Sequence, residues 1–416
     1  MIETTTLDNG ITVVTERMPW VRSVSAGFWV GTGSRDEGEG LFGASHFLEH
    51  LLFKGTPTRT ARGIAEDVDA VGGDMNAFTT REYTAFYLRV LDDSVDLALD
   101  ILSDILWNPA FRADEVEAER QVILEEILMR ADEPADLVHE VFTEALFPDH
   151  PVGREVLGDE PSIENMSREA IAAFHRHHYR PGNMVFAAAG NLHHEALVEG
   201  VERRFAGGAG GAAPVRTAPV VPPRGWAIDP RPTEQAHLVV GMRAFDVHSE
   251  DRHALSVVNH VLGGGMSSRL FQTIREERGL AYSVYSYRSL LGDTGMLSVY
   301  AGTMPARLRE VLDLVRDGID SIAAGGITER ELEVAKGHVV GELALSLEDS
   351  AARMSRIGRC QLIHGTVPTV DEVVASVAAV TLDDAARVAA EVLGNPQVVA
   401  VVGPVDDGFA DAAQVA

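Results

Sequence analysis

The chain has 416 residues, of which 45% are hydrophobic and 24% charged, and its formal net charge is −28 at pH 7. This length and composition indicate a globular protein of two or more domains and exclude a disordered chain. The acidic balance argues against nucleic-acid binding, which relies on clusters of Lys and Arg. It makes basic peptides a more natural partner, unless the charge serves solubility alone.

Residues 1–10 lack the basic and apolar runs of a signal peptide, and no apolar stretch approaches the roughly 20 residues that span a bilayer. We therefore expect a cytoplasmic protein with neither a signal peptide nor a transmembrane segment. Cys360 is the single cysteine, which excludes an intrachain disulfide and any cysteine-built metal site. A bound metal would have to be held by His and carboxylate side chains.

The first half of the chain opens with a β-rich segment at 23–30, and the pattern of residues 43–53 then predicts a helix. Residues four apart share a helix face, so His46 and His50 can bind one metal ion. Glu49 lies beside them and can reach a metal-bound water without being a ligand. This His-x-x-Glu-His order is the inverted zinc-peptidase motif. The alternative is a chance pair of surface histidines beside a glutamate.

A catalytic zinc site needs a third protein ligand, and the helical pattern that begins near residue 112 supplies the candidates. Glu119 and Glu126 are seven positions apart and share a helix face. Glu125 is turned away from Glu126 by about 100°. The alternative for a helix with several glutamates is a solvated face.

A stretch rich in Gly, Ala and Pro at 206–224 predicts a linker between a domain at 1–205 and a domain at 225–416. Both halves open with β-rich segments and continue with helical ones, which suggests an internal duplication. Matching Val116 to Leu332 shifts the first half by 216 positions. Leu262 and Met266 then stand opposite the two motif histidines, so only the first half should bind the metal.

Several separated motifs together resemble the pitrilysin family of inverted-motif zinc metallopeptidases. They are HFLEH at 46–50, GGDMNAFTTREYTAFY at 72–87, the pair Glu119 and Glu126, and GGGMSSRLFQTIREERGLAYSV at 263–284. Within the family, the chain is most similar to the mitochondrial processing peptidase beta subunit and its bacterial homologues. The glycine run at 263–265 lacks the Gly-Lys-Ser/Thr ending of a phosphate-binding loop, which argues against a nucleotide site.

The resemblance implies a role for each matched residue. His46, His50 and Glu126 would hold one Zn²⁺ per chain, Glu119 would orient the ligands, and Glu49 would be the general base on a zinc-bound water. Arg275 and Tyr282 of the second half would bind the substrate and stabilise the oxyanion. From the residues alone, Tyr282 fits a buried strand position and Arg275 a helix surface. Arg278 competes with Arg275 for the family role, and the seven-residue spacing to Tyr282 favours Arg275.

The resemblance also implies residues that bind the substrate. Residues 73–79 read as a strand entered through a glycine turn, and in the family the matching strand is an exposed edge that pairs with the substrate main chain, here at Asn76 and Ala77. An ordinary core strand is the alternative. Phe53 matches an aromatic that lines the pocket just past the cut bond, or else is a core residue. Asp136 and Glu140 match acids that bind an upstream arginine, or else are surface acids.

The implied fold is α+β, with two homologous domains that each pack helices on an antiparallel sheet, as in a pitrilysin or processing-peptidase half clamshell. The implied function is a zinc-dependent endopeptidase for extended or unfolded peptides. Longer family members have four such domains, so a homodimer should complete the site. The alternatives are a non-catalytic processing-peptidase-like assembly subunit, the catalytic subunit of a heterodimer, or a metal hydrolase acting on another small substrate.

Overall fold

A computed structural model of the chain describes residues 2–205, 210–405 and 408–410. Its strands form two sheets. The strands of the first sheet are β1 (Ile2–Thr6), β2 (Thr12–Arg17), β3 (Ser23–Val30), β4 (Asp74–Thr79), β5 (Thr84–Leu91) and β6 (Met184–Gly190), and those of the second are β7 (Trp226–Pro230), β8 (Ala236–Ala244), β9 (Ala281–Leu290), β10 (Gly295–Thr303) and β11 (Val398–Gly403).

Fourteen α-helices are found in the described ranges. They are α1 (Ala44–Leu52), α2 (Ala61–Ala70), α3 (Val95–Trp107), α4 (Ala113–Ala131), α5 (Pro134–Leu146), α6 (Glu160–Asn165), α7 (Arg168–His178), α8 (His194–Arg204), α9 (Arg252–Asn259), α10 (Leu308–Gly325), α11 (Glu329–Ser346), α12 (Ser350–His364), α13 (Val370–Ala379) and α14 (Leu382–Leu393). Two π-helical segments, His260–Gly264 and Phe271–Glu277, follow α9. Within the described ranges, no helix combines the length and apolar character needed to cross a bilayer.

The strand order is β1-β2-β6-β3-β5-β4 in the first sheet and β7-β11-β8-β10-β9 in the second. Neighbouring strands are antiparallel, except that β2 runs parallel to β6 and β7 runs parallel to β11. The predicted α+β class with two homologous domains is therefore confirmed, with one parallel pair added to each antiparallel sheet. Because β4 and β9 each end the strand order of a sheet, both are edge strands.

Most of the element order of the first half recurs in the second, although β1 has no counterpart among the five strands of the second sheet. The helix α4 begins at residue 113 and α11 begins at residue 329, which is the predicted shift of 216 positions. The segment opposite the HFLEH motif contains the π-helix His260–Gly264 in place of a regular helix. Leu262 and Met266 stand at the positions matched to the motif histidines, and neither side chain is a ligand that zinc takes in proteins.

The compact units of the structure are not contiguous in sequence. Among the described residues, the first unit takes 2–127, 155–205, 210–216 and 344–368, and the second takes 128–154, 217–343, 369–405 and 408–410. The first sheet packs α12 on one face through Trp29, Met354 and Ile357. The second sheet packs α5 through a separate cluster that includes Phe142. The predicted linker at 206–224 separates the sheets, but each sheet is covered by one helix from the other half of the sequence.

Residues 210–224 of the predicted linker form neither helix nor strand, whereas 206–209 lie outside the described residues. Arg216 fixes this segment to the first unit. Its guanidinium donates to both carboxylate oxygens of Asp36, at 2.8 and 2.7 Å, and to the main-chain carbonyl of Glu82 at 2.6 Å. A bidentate, largely buried pair of this kind gives the chain a defined path as it leaves the first sheet.

Gly358 tests how closely α12 packs on the first sheet. A Cβ atom at Gly358 would lie 2.7 Å from the indole ring of the fully buried Trp29. Gly358→Ala should therefore lower the free energy of unfolding by about 1–3 kcal/mol, because a tight core has no room for the methyl group. Urea denaturation measures this change.

Gly341→Ala is the matched control. Its Cβ would meet no atom within 4 Å, and the free energy of unfolding of this variant should rise by about 0.5–1 kcal/mol. Equal shifts in both variants would contradict this packing.

Candidate metal centre

The helix α1 has two different faces. Phe47, Leu48 and Leu51 are buried in the core of the first unit, whereas His46, Glu49 and His50 lie on the partly exposed side. The helix begins after Gly43, whose φ of 89° is left-handed and suits glycine. The Glu37 carboxylate accepts the main-chain N–H groups of Gly43 and Ser45, at 2.7 and 2.8 Å. These bonds satisfy donors that a helix N-terminus leaves unpaired.

Three side chains converge beside this face: His46 and His50 from α1 and Glu126 from α4. The two Nε2 atoms are 3.2 Å apart, and each lies 3.6 Å from Oε2 of Glu126. The imidazole planes are inclined by 69° to each other, and their ring centres lie 4.6 Å apart. Among the described residues, this is the one group of three or more His, Cys, Asp or Glu side chains whose donor atoms lie within 4.8 Å of one another.

The donor set fits zinc. Two nitrogens on one tetrahedral zinc ion lie about 3.3 Å apart, because each bond is roughly 2.0–2.1 Å. Burial, with the neighbouring His50 imidazole, lowers the pKa of His46 to about 3, so this ring is neutral and keeps a lone pair for a metal. Oε2 of Glu126 is buried and makes no hydrogen bond. A cation at this position would satisfy both groups.

A second tier of side chains holds His50 in place. Oε2 of Glu119 lies 3.0 Å from Nδ1 of His50, and Oε1 of Glu119 lies 2.6 Å from Nζ of Lys54. A carboxylate on Nδ1 favours the tautomer whose Nε2 carries the free lone pair. Lys54 was not predicted from the sequence. The signal that could have identified it is its position four residues after His50, one helical turn further along the chain.

Glu49 is placed beside the three donors but is not one of them. Its Oε2 accepts a hydrogen bond from the Thr79 hydroxyl at 2.6 Å. Burial raises the pKa of the Glu49 carboxyl, and the Thr79 bond opposes that rise. A carboxylate with a raised pKa is better suited to accept and return a proton near neutral pH.

Arg275 and Tyr282 belong to the second unit, and the structure brings them together. The Arg275 guanidinium carbon lies 4.7 Å from the Tyr282 ring centre and 4.8 Å from that of Phe271. The residues alone suggested that Tyr282 is buried. In the structure, its side chain is 81% exposed on the edge strand β9. The guanidinium is therefore held between two aromatic rings while the tyrosine faces solvent.

The residues predicted to bind substrate lie in different environments. Phe53 lines a cavity of about 300 Å³ together with Ile64, Val68 and Met75. Asn76 is exposed on the edge strand β4, whereas Ala77 is nearly buried. This cavity and strand both lie in the first unit, as does the metal centre.

Asp136 and Glu140 lie in the second unit and face a cation of their own chain. Nε of Arg130 is 2.5 Å from Oε1 of Glu140, and Nη1 of Arg130 is 3.6 Å from Oδ2 of Asp136. This ion pair was not predicted from the sequence. An arginine of a peptide would have to compete with Arg130 for these carboxylates, so the prediction of a basic subsite gains no support from their geometry.

Comparison with known proteins finds family models and relatives that match this chain over most of its length. A family model described as "Insulinase (Peptidase family M16)" matches residues 12–160, and one described as "Peptidase M16 inactive domain" matches residues 165–338. An uncharacterized zinc protease of Mycobacterium tuberculosis is 47% identical over 410 residues, covering 96% of this chain and 92% of that protein. The uncharacterized zinc protease YmxG of Bacillus subtilis is 39% identical, covering 97% of this chain and 98% of that protein.

A solved structure shows the same fold. The crystal structure of a peptidase M16 inactive domain from Pseudomonas fluorescens matches with a TM-score of 0.92, covering 98% of each chain. Its sequence is 22% identical to this one, so the match concerns the fold alone.

The adjacent residues Glu125 and Glu126 allow a matched test of the metal centre. Glu126→Gln should weaken zinc binding by more than the roughly 10- to 100-fold typical of losing a residue that only supports a ligand. Glu125→Gln removes the same charge from an exposed position and should leave zinc affinity unchanged. Competition with a chromophoric chelator measures both affinities. Wild-type affinity in the Glu126 variant would show that this carboxylate is not a ligand.

Proposed function

The chain belongs to peptidase family M16, and from this premise we propose that it is a zinc-dependent endopeptidase that hydrolyses extended or unfolded peptides. The observation that carries the proposal is the convergence of His46, His50 and Glu126 with a partly buried carboxylate, Glu49, beside them. A non-catalytic assembly subunit would not need this set of donors together with a base. The names of the zinc-protease relatives support the same conclusion.

In the proposed reaction, zinc supplies Lewis-acid chemistry when bound, because it acidifies water and polarises a carbonyl oxygen. Glu49 accepts a proton from the water whose oxygen attacks the peptide carbon. As the C–N bond breaks, Glu49 returns that proton to the nitrogen of the leaving amine. Glu119 keeps His50 oriented throughout, with Lys54 on its other oxygen.

The position of β4 at the edge of its sheet supports the proposal that the substrate is extended. β4 pairs with β5 on one side and ends the strand order on the other, so its outer edge can pair with a peptide main chain. Such pairing reads the backbone and tolerates many side chains. The cavity beside Phe53 then offers room for one substrate side chain.

The proposal includes a homodimer in which Arg275 and Tyr282 of a second copy complete the site. Both residues lie in the second half, which has no metal donors at the positions matched to the motif histidines. Tyr282 is exposed, and its hydroxyl can donate a hydrogen bond to the oxygen on which charge develops. In a closed twofold dimer, each chain would supply this pair to its partner.

Replacement of the base separates metal binding from chemistry. Glu49→Gln keeps the size of the side chain and removes its ability to accept a proton. We expect zinc content to stay at the wild-type level while kcat on an unfolded basic peptide falls by about 10²- to 10⁴-fold. Glu125→Gln, on the same α4 as Glu126 but exposed, is the control and should cleave normally. Equal kcat in Glu49→Gln and wild type would remove Glu49 from the mechanism.

Mixing two inactive variants tests the shared site. Glu49→Gln and Tyr282→Phe should each be nearly inactive alone. If the site combines residues of two chains, a mixed dimer has one intact site, and random pairing should restore about a quarter of the wild-type activity. If each chain completes its own site, or if the protein is an active monomer, mixing restores nothing. Activity after co-refolding or subunit exchange gives the answer.

A further inference from the structure

Thr79 makes a contact with Glu49 that the family resemblance did not predict. The Thr79 hydroxyl donates to Oε2 of Glu49 over 2.6 Å. In the part of the chain that the structure describes, Thr79 is the one side chain that hydrogen-bonds this carboxylate. The distance is typical of a charge-assisted bond, which is about twice as strong as a bond between neutral groups.

The strand β4 explains why Thr79 reaches the base. Successive side chains of a strand alternate between its two faces, so Met75, Ala77 and Thr79 share one face. Met75 and Ala77 pack in the core cluster that also contains the buried face of α1. Thr79 is the last residue of this face, and its side chain meets α1 at Glu49 instead of entering the core.

Thr79 is itself held firmly. It pairs with Thr84 of β5, and Thr84 is fully buried with its hydroxyl donating to the Thr32 carbonyl at 3.0 Å. The β4–β5 turn is closed by a main-chain bond from Thr80 to Tyr83 at 2.8 Å. A β-branched residue also has few χ1 states. The hydroxyl therefore occupies a defined position relative to α1.

A glutamate carboxylate needs such a restraint. The terminal torsion angle of a glutamate side chain has a broad, roughly twofold distribution. Packing of the methylene groups therefore does not fix the positions of the two carboxylate oxygens. A donor on Oε2 restricts the rotation of the carboxylate and so defines where the oxygen that takes and returns a proton lies. General-base catalysis requires that oxygen within hydrogen-bond reach of the proton.

We propose that Thr79 is a positioning residue that holds Glu49 in its working orientation, linking the end of the substrate-pairing strand to the general base. The inference rests on the proposed function, because Glu49 has to be the base. The link is mechanical: β4 offers its main-chain edge to the peptide while its last side chain orients the carboxylate. Thr79 acts through the Glu49 carboxylate that its hydroxyl hydrogen-bonds.

The test compares three zinc-loaded enzymes on an internally quenched, unfolded peptide. Thr79→Val replaces the hydroxyl by a methyl group of similar shape, and kcat should fall by about 10- to 100-fold, the size of effect expected from a misplaced catalytic group. KM, zinc affinity and the thermal midpoint should stay at wild-type values. Thr79→Ser restores the hydroxyl and should recover most of kcat. If the valine variant folds poorly, Thr79→Ala is measured in its place.

A double variant shows whether Thr79 acts through Glu49. In the Glu49→Gln background, Thr79→Val should cause little further loss of kcat, because the group it positions is already disabled. Losses that multiply in the double variant would overturn the proposal, as would a serine variant no more active than valine. A loss of zinc affinity or of thermal stability that accounts for the lower kcat would also overturn it, since the role would then be structural.

The outcomes separate this inference from the proposed function. If the wild type cleaves the peptide and Thr79→Val cleaves it with equal kcat, the peptidase function stands and the role of Thr79 is refuted. If the wild type with bound zinc cleaves no unfolded peptide, the proposed function fails and the role of Thr79 falls with it.

Discussion

The division of α1 into a buried and an accessible face is the constraint on which the metal centre depends. Burying an apolar side chain contributes about 1.5–3 kcal/mol, and Phe47, Leu48 and Leu51 together fix the rotation of the helix about its axis. With that rotation, His46 and His50 lie on the side of α1 where Glu126 of α4 reaches them. The donor geometry is therefore a result of core packing, and a polar site of this kind is held more precisely than one built on loops.

The sequence predicted the features that depend on local periodicity. The spacing in HFLEH and the seven-residue interval between Glu119 and Glu126 placed each pair of side chains on one helix face, and the glycine turn placed the strand that became β4. The contacts of Lys54, Thr79 and Arg130 were not predictable in this way. Each joins side chains on different elements, so it depends on how those elements cross, which no single-segment period encodes.

The two homologous halves of the chain differ in their polar side chains. The shift of 216 positions that relates α4 to α11 places Glu342 opposite Glu126, yet Leu262 and Met266 stand opposite the two motif histidines. The histidine of the π-helical segment, His260, lies two positions before the matched position and stacks on His338. A π-helical turn changes the direction of the side chains that follow it. The second half instead offers an arginine clamped between aromatic rings, a group suited to hold a substrate and not a metal.

The exchange of α5 and α12 between the two sheets has a consequence for biosynthesis. The face of the first sheet that contains Trp29 is covered by α12, so its apolar surface stays open until residues near 368 have left the ribosome. A nascent chain that ends at the linker would carry a complete metal motif on an incomplete core. Each half of the sequence therefore lacks one helix that covers its own sheet, and the first sheet can bury its Trp29 face only after α12 has been synthesised.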